Sequence, residues 1–262
     1  MTPPNFWKKY EFAENQTLHF KGGFVEVFVK RISNGWLIKS RIPDHPASEL
    51  QVEEVDNFDN DADVFHFRTG KSPVLHVVPA MPNKSVVFRN NKNIKISAGE
   101  SANLFFRIPL TMQFYFQEVK DENRLLEFSL QRLSDTWFGE PDNGEPAFSI
   151  GSNYDIDFSD VAVLPWEAVT SVEIINKTTG VFDLERLILR VEEFSLFVKN
   201  SKILSNHVAI EFTGADHDGS VNLTERKDLH GQKPLLLARP RALGTRNLLR
   251  KSFYFIKNIY QN

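Results

Sequence analysis

The chain has 262 residues, a formal net charge of −3, no cysteine, three methionines and 23 phenylalanines. At roughly 150 residues per domain it makes one large or two medium domains that bury about 70–75% of their unfolded surface, and its ordinary hydrophobic and charged content excludes disordered, collagen-like and low-complexity classes. Lack of cysteine removes disulfide frameworks, Cys-ligated zinc, iron–sulfur clusters and thiol nucleophiles together.

Residues 1–9 lack the charged segment and apolar run of a signal peptide. No apolar stretch has the length of a membrane-spanning helix, so a cytoplasmic location is expected. Asn-x-Ser/Thr triplets begin at Asn15, Asn83, Asn176 and Asn222. Without a secretion signal they are read as chance occurrences rather than glycosylation sites.

Apolar and polar residues alternate at period two along much of the chain, the pattern of half-buried strands. Phe24 to Val29 leads through Ser33-Asn34-Gly35 into Trp36 to Ser40, a predicted hairpin with Asn34-Gly35 at its turn. Further strands are predicted at Val64 to Phe67, Val74 to Val78, Ser85 to Phe88, Ile94 to Ser97, Asn103 to Ile108 and Thr111 to Gln117. Others follow at Leu125 to Leu133, Val169 to Ile175, Leu184 to Val191, Phe194 to Val198 and His207 to Phe212. Such short, closely spaced strands predict an all-β protein of antiparallel β-sandwich architecture rather than βαβ units. The 23 phenylalanines are the natural filling between its sheets. One helix is expected, at the end, where Thr245 caps an amphipathic segment with Leu248, Leu249, Phe253, Ile256 and Tyr260 along one face. Two packed sandwich-like domains are expected, 1–115 and 116–262, the second including the terminal helix; a boundary near 160 is the alternative.

Ile94 to Tyr115, with Ile96-Ser97-Ala98-Gly99-Glu100 leading to Phe105-Phe106-Arg107-Ile108-Pro109-Leu110, resembles an uncharacterised family of archaeal and bacterial proteins known as domain of unknown function 432. Thr136-Trp137-Phe138-Gly139 followed by Gly144-Glu145 is similar to that family's aromatic-glycine signature. Ser171 to Phe197 resembles its later strands, around Ile175-Asn176 and Leu184-Glu185-Arg186-Leu187. The resemblance spans most of the chain, implies an all-β protein and brings no catalytic residues with it.

Chemistry must then be sought in the loops. Between Glu49 and Asp63 there is no basic residue, and Asp59-Asn60-Asp61-Ala62-Asp63 has the alternating acids of a calcium loop. Val64 and Gly70 stand where that motif needs its turn glycine and closing glutamate, so a solvated acidic loop competes with a calcium site there. Trp137 to Glu145 brings aromatic surface near Glu140, Asp142 and Glu145, residue types that suit carbohydrate chemistry, with Trp137 or Trp166 as a sugar platform. Asn143-Gly144 is equally a plain turn signal. Gly214 to Ser220 holds Asp216-His217-Asp218, which supplies at most part of a metal site. No G-x-S-x-G elbow, P-loop or dinucleotide-binding glycine pattern occurs.

Charge is unevenly spread. Residues 226–262 carry nine Lys or Arg against Asp228, a net of about +8 that leaves about −11 for the rest of the chain. Docking on the protein's own acidic face is favoured for this tail over nucleic acid or an anionic membrane surface. The expected function is a non-catalytic binding or scaffold module for a protein or small ligand, with homo-oligomerisation through a sheet edge. The alternative is a carbohydrate-active or metal-assisted hydrolase using the loop carboxylates.

Overall fold

A computed structural model of the chain describes residues 3–59, 63–139, 141–142, 144–151, 154–158, 161–213, 219–224 and 234–241. These residues are all-β, as the period-two alternation predicts. Helix among them is limited to short turns such as Pro3–Phe6 and Asp121–Asn123. The amphipathic helix expected from Thr245 lies outside the described residues.

The first strands are β1 (Lys9–Glu11), β2 (Thr17–Gly23), β3 (Val25–Ile32), β4 (Gly35–Arg41), β5 (Ala47–Glu54) and β6 (Phe65–Arg68). Strands β2 to β6 form sheet I, ordered β5-β2-β3-β4-β6. The predicted hairpin joins β3 to β4, with Ile32 opposite Gly35 and Ser33-Asn34 as its loop. Gly35 is needed for close approach, because a Cβ there would lie 1.8 Å from the Phe67 carbonyl oxygen on β6. Strand β5 occupies the start of the acidic segment. Leu50 points into the core while Glu49, Gln51 and Glu53 on the opposite face are exposed, and the terminal Glu54 breaks the apolar alternation on the core side.

Next come β7 (Val74–Ala80), β8 (Val86–Ile96), β9 (Ser101–Pro109), β10 (Thr111–Phe116) and β11 (Arg124–Ser129). Sheet II is ordered β1-β7-β10-β11. The strands expected separately at Ser85 to Phe88 and Ile94 to Ser97 are one, β8. Antiparallel pairing with β16 (Phe182–Leu189) holds both of its ends, and the register shifts across the polar stretch between Arg89 and Ile94. The rest are β12 (Ser134–Phe138), β13 (Glu145–Ser149), β14 (Tyr154–Asp155), β15 (Glu167–Asn176), β17 (Leu196–Lys199), β18 (Lys202–Ser205), β19 (His207–Phe212), β20 (Gly219–Thr224) and β21 (Leu235–Ala238). Sheet III is ordered β12-β13-β8-β16, and the eight-stranded sheet IV runs β14-β9-β15-β18-β17-β21, with β19 beside β15 and β20 beside β19. Most pairings are antiparallel. The parallel ones set β13 beside β8, and β18 and β19 in succession along β15.

Rings join the sheets face to face in a sandwich-like arrangement. Phe20 of sheet I meets Phe114 of sheet II at 5.4 Å, and Phe12 meets Trp36 at 5.1 Å, both edge to face. Phe88 of sheet III meets Phe106 of sheet IV at 4.0 Å, and Phe182 meets Phe212 at 4.2 Å. Each buried ring removes apolar surface worth about 1.5–3 kcal/mol from water. The chain crosses between the two sheet pairs more than once: β8 and β9 join sheets III and IV, whereas β10 and β11 return to sheet II. Residue 115 therefore lies within β10. One contiguous apolar cluster draws on all four sheets.

Candidate functional site

Strand β10 places Met112 and Phe114 in the core, so Thr111, Gln113 and Tyr115 project from the other face of sheet II. That face is also covered, since Thr111, Gln113 and Tyr115 are all buried. The cover is the C-terminal segment 235–241. Strand β21 pairs antiparallel with β17 at the margin of sheet IV, and Arg239-Pro240-Arg241 then reaches sheet II.

Arg241 anchors this strap. Its Nη1 donates to Glu127 Oε2 at 2.7 Å and its Nη2 to Thr111 Oγ1 at 2.7 Å and to Glu127 Oε1, while Nε donates to the Met81 carbonyl. Gln113, opposite Glu127 in the strand register, donates its Nε2 to Glu127 Oε2 at 2.8 Å, and the Tyr115 hydroxyl donates to Gln113 Oε1 at 2.8 Å. Burial pushes the Glu127 carboxyl up, but hydrogen bonds from Arg241 and Gln113 outweigh it and hold the group below the ordinary carboxylate range. Burial raises the Tyr115 hydroxyl, which stays a neutral donor.

Beside the strap lies a cleft of about 690 Å³, walled by residues 7–9, 76–80, 113, 115, 119–121, 124 and 236–241. Among the described residues, six cationic side chains line it, Lys8, Lys9, Lys120, Arg124, Arg239 and Arg241, with one carboxylate, Asp121. Four have carboxylate partners: Lys9 with Glu11 at 2.7 Å, Lys120 with Glu118 at 2.7 Å, and Arg241 and Arg124 with Glu127. Arg124 lies 3.9 Å from Glu127, and Lys8 sits 5.2 Å from the centre of the Tyr10 ring. Arg239 is exposed. His76 Nε2 lies 3.1 Å from the Gln117 carbonyl oxygen. Trp7, only 5% exposed, forms part of the wall, and its indole N–H has no partner among the described residues. The cleft thus combines a surplus of positive charge with an aromatic wall and a volume in the range of small-molecule sites.

The residues singled out from sequence lie elsewhere. Trp137 is 47% exposed on β12, held over Gly144, where an added Cβ would come within 2.2 Å of the indole nitrogen. Glu145 is turned toward Arg190, 3.2 Å away, and accepts from Ser85 Oγ at 3.3 Å. Asp142 is exposed at the hairpin tip, and Glu140 lies outside the described residues. Trp166 is 3% exposed and packs near Gly23, so it presents no open platform. The Asp59 carboxylate is 3.8 Å from Lys39 Nζ, and Asp63 is exposed. Asp61, Asp216 and Asp218 lie outside the described residues. Among the described residues, no group of three or more His, Asp or Glu is arranged to hold a metal ion.

Two polar clusters had no sequence signal because they form across strands. Ser171 Oγ on β15 is 2.9 Å from His207 Nδ1 on β19, and Nε2 of that ring is 3.9 Å from Glu173. Ser171 is buried, and the contact reads as a link between strands rather than a nucleophile open to substrate. His19 is buried against Phe28, ring centres 3.9 Å apart, between Glu26 at 3.1 Å and Glu53 at 3.4 Å. Burial lowers its pKa more than the carboxylates raise it.

The family described as Protein of unknown function (DUF432) matches residues 6–257. The chain belongs to this family. The match takes in every strand of all four sheets and both walls of the cleft. No curated protein and no solved structure matches the chain. No helix among the described residues is long and apolar enough to cross a membrane.

Proposed function

We propose that this member of the family is a non-catalytic binding module that holds a small anionic ligand in the cleft between sheet II and the C-terminal strap. The observation that carries the reading is a cavity of about 690 Å³ whose six lining cations still outnumber, among the described residues, Asp121 and the three carboxylates that pair with them, Glu11, Glu118 and Glu127. A cleft lined by one sign of charge, with low-dielectric walls, concentrates ions of the opposite sign. The fold supports it further: the polar groups beneath the strap are hydrogen-bonded to one another, which favours a fixed floor, and Lys8 and Arg239 line the cleft without a carboxylate partner among the described residues.

Titration calorimetry with a panel of small anions, inorganic phosphate, pyrophosphate and citrate, tests it. Arg124→Glu combined with Arg239→Glu is expected to weaken binding about tenfold or more, and higher salt to weaken it in the unmodified protein. Binding that is indifferent to both charge reversal and salt would place the ligand elsewhere.

A further inference from the structure

Resting on that reading, we infer that the ligand of the cleft is an amphipathic anion: a monomeric phosphate or carboxylate carrying an apolar chain or ring. The positive lining accounts for the head group. The apolar part is called for by side chains that the fold leaves in water on both walls. Val119, in the turn between β10 and β11, is 50% exposed, and Leu236 on β21 is 49% exposed. Both belong to the same cleft as the cations, and Leu237, Pro79 and Trp7 are also among its lining residues. Single exposed apolar residues are ordinary on a protein surface. Two half-exposed apolar side chains from distant chain segments that line the same cleft offer apolar surface for a ligand body to cover.

A purely inorganic anion would use only the charges and leave this surface wet. An uncharged apolar ligand would leave the cations idle and have to strip their hydration, which is costly. A ligand with both parts places the charge at Arg124, Lys120 and Arg239 and the apolar body against Val119 and Leu236.

The test uses the full-length protein and a series of methyl, butyl, hexyl and octyl phosphate, kept below micelle-forming concentrations. Affinity is expected to rise about twofold to fourfold for each methylene as the chain is buried. Leu236→Ser with Val119→Ser, at half-exposed positions that the core does not depend on, should flatten this dependence and leave methyl phosphate binding unchanged. Arg124→Glu should weaken the whole series alike. If all chain lengths bind equally, the amphipathic inference falls while the anion-binding reading stands; if none binds, both fall. Sedimentation with phosphatidylglycerol vesicles separates the sources. Vesicle binding without octyl phosphate binding overturns a monomeric ligand in favour of a membrane surface.

Discussion

Arg241 and Glu127 are separated by 114 residues in sequence and form a bidentate pair that fixes the strap to sheet II. Arginine suits this place because its planar fork meets both carboxylate oxygens and still reaches Thr111 and the Met81 carbonyl. Both side chains are largely removed from water, so the pair escapes most of the screening that makes surface ion pairs weak. Glu127→Gln is expected to cost about 2–3 kcal/mol at neutral pH, measured by urea unfolding. Its carboxyl has a lower pKa folded than unfolded, so its contribution is present above the ordinary carboxylate range and is lost as pH falls through the folded value. The difference between wild type and variant should therefore shrink as pH is lowered toward 3. A difference that is unchanged across that range would mean that Glu127 is not stabilised as a charged group.

At the scale of elements, the corner from β8 to β9 and the turn from β15 to β16 share one residue. Asn176 is fully buried; its side-chain N–H groups donate to the Ile96 and Gly180 carbonyls at 2.8 Å each, and its Oδ1 accepts from the Thr178 backbone and hydroxyl. Asn176→Ala should cost about 2–4 kcal/mol, read as a lowered unfolding midpoint, because it orphans several of these buried groups. The Asn-Lys-Thr triplet here is thus a structural turn with its amide committed, in keeping with the sequence reading. Strands whose two faces differ in polarity were legible: β3, β4, β7, β9, β10 and β19 lie where alternation predicted them. Those that escaped had a physical reason. Strand β2 ends in Gly22-Gly23, β5 is charged on one face, and β12 and β18 are short and polar. The cleft was illegible because its walls come from segments more than 100 residues apart, joined by β21 pairing with β17 and by Arg241. Its only local trace was the basic run toward the C-terminus, which was expected to dock on the protein itself; Arg241 does so on Glu127.

Across the whole molecule, most of the buried phenylalanines fall in one apolar cluster shared by four sheets, with Phe105 and Phe158 on a smaller one. The chain crosses three times between the sheet pairs, and the strap ties the margin of sheet IV to sheet II. Such interleaving couples the halves energetically, so calorimetry should show one cooperative transition; two resolved transitions would mean that the sheet pairs unfold as independent units. Phe114→Ala, which empties a site touching both Phe20 and Phe128, should lower that single transition, at a cost of about 3–5 kcal/mol. The most direct test of the binding account is titration calorimetry of pyrophosphate into the protein and its Arg124→Glu/Arg239→Glu variant at low and high salt. The account predicts saturable, salt-sensitive binding that the double reversal weakens about tenfold or more; equal affinity in the two proteins would contradict it.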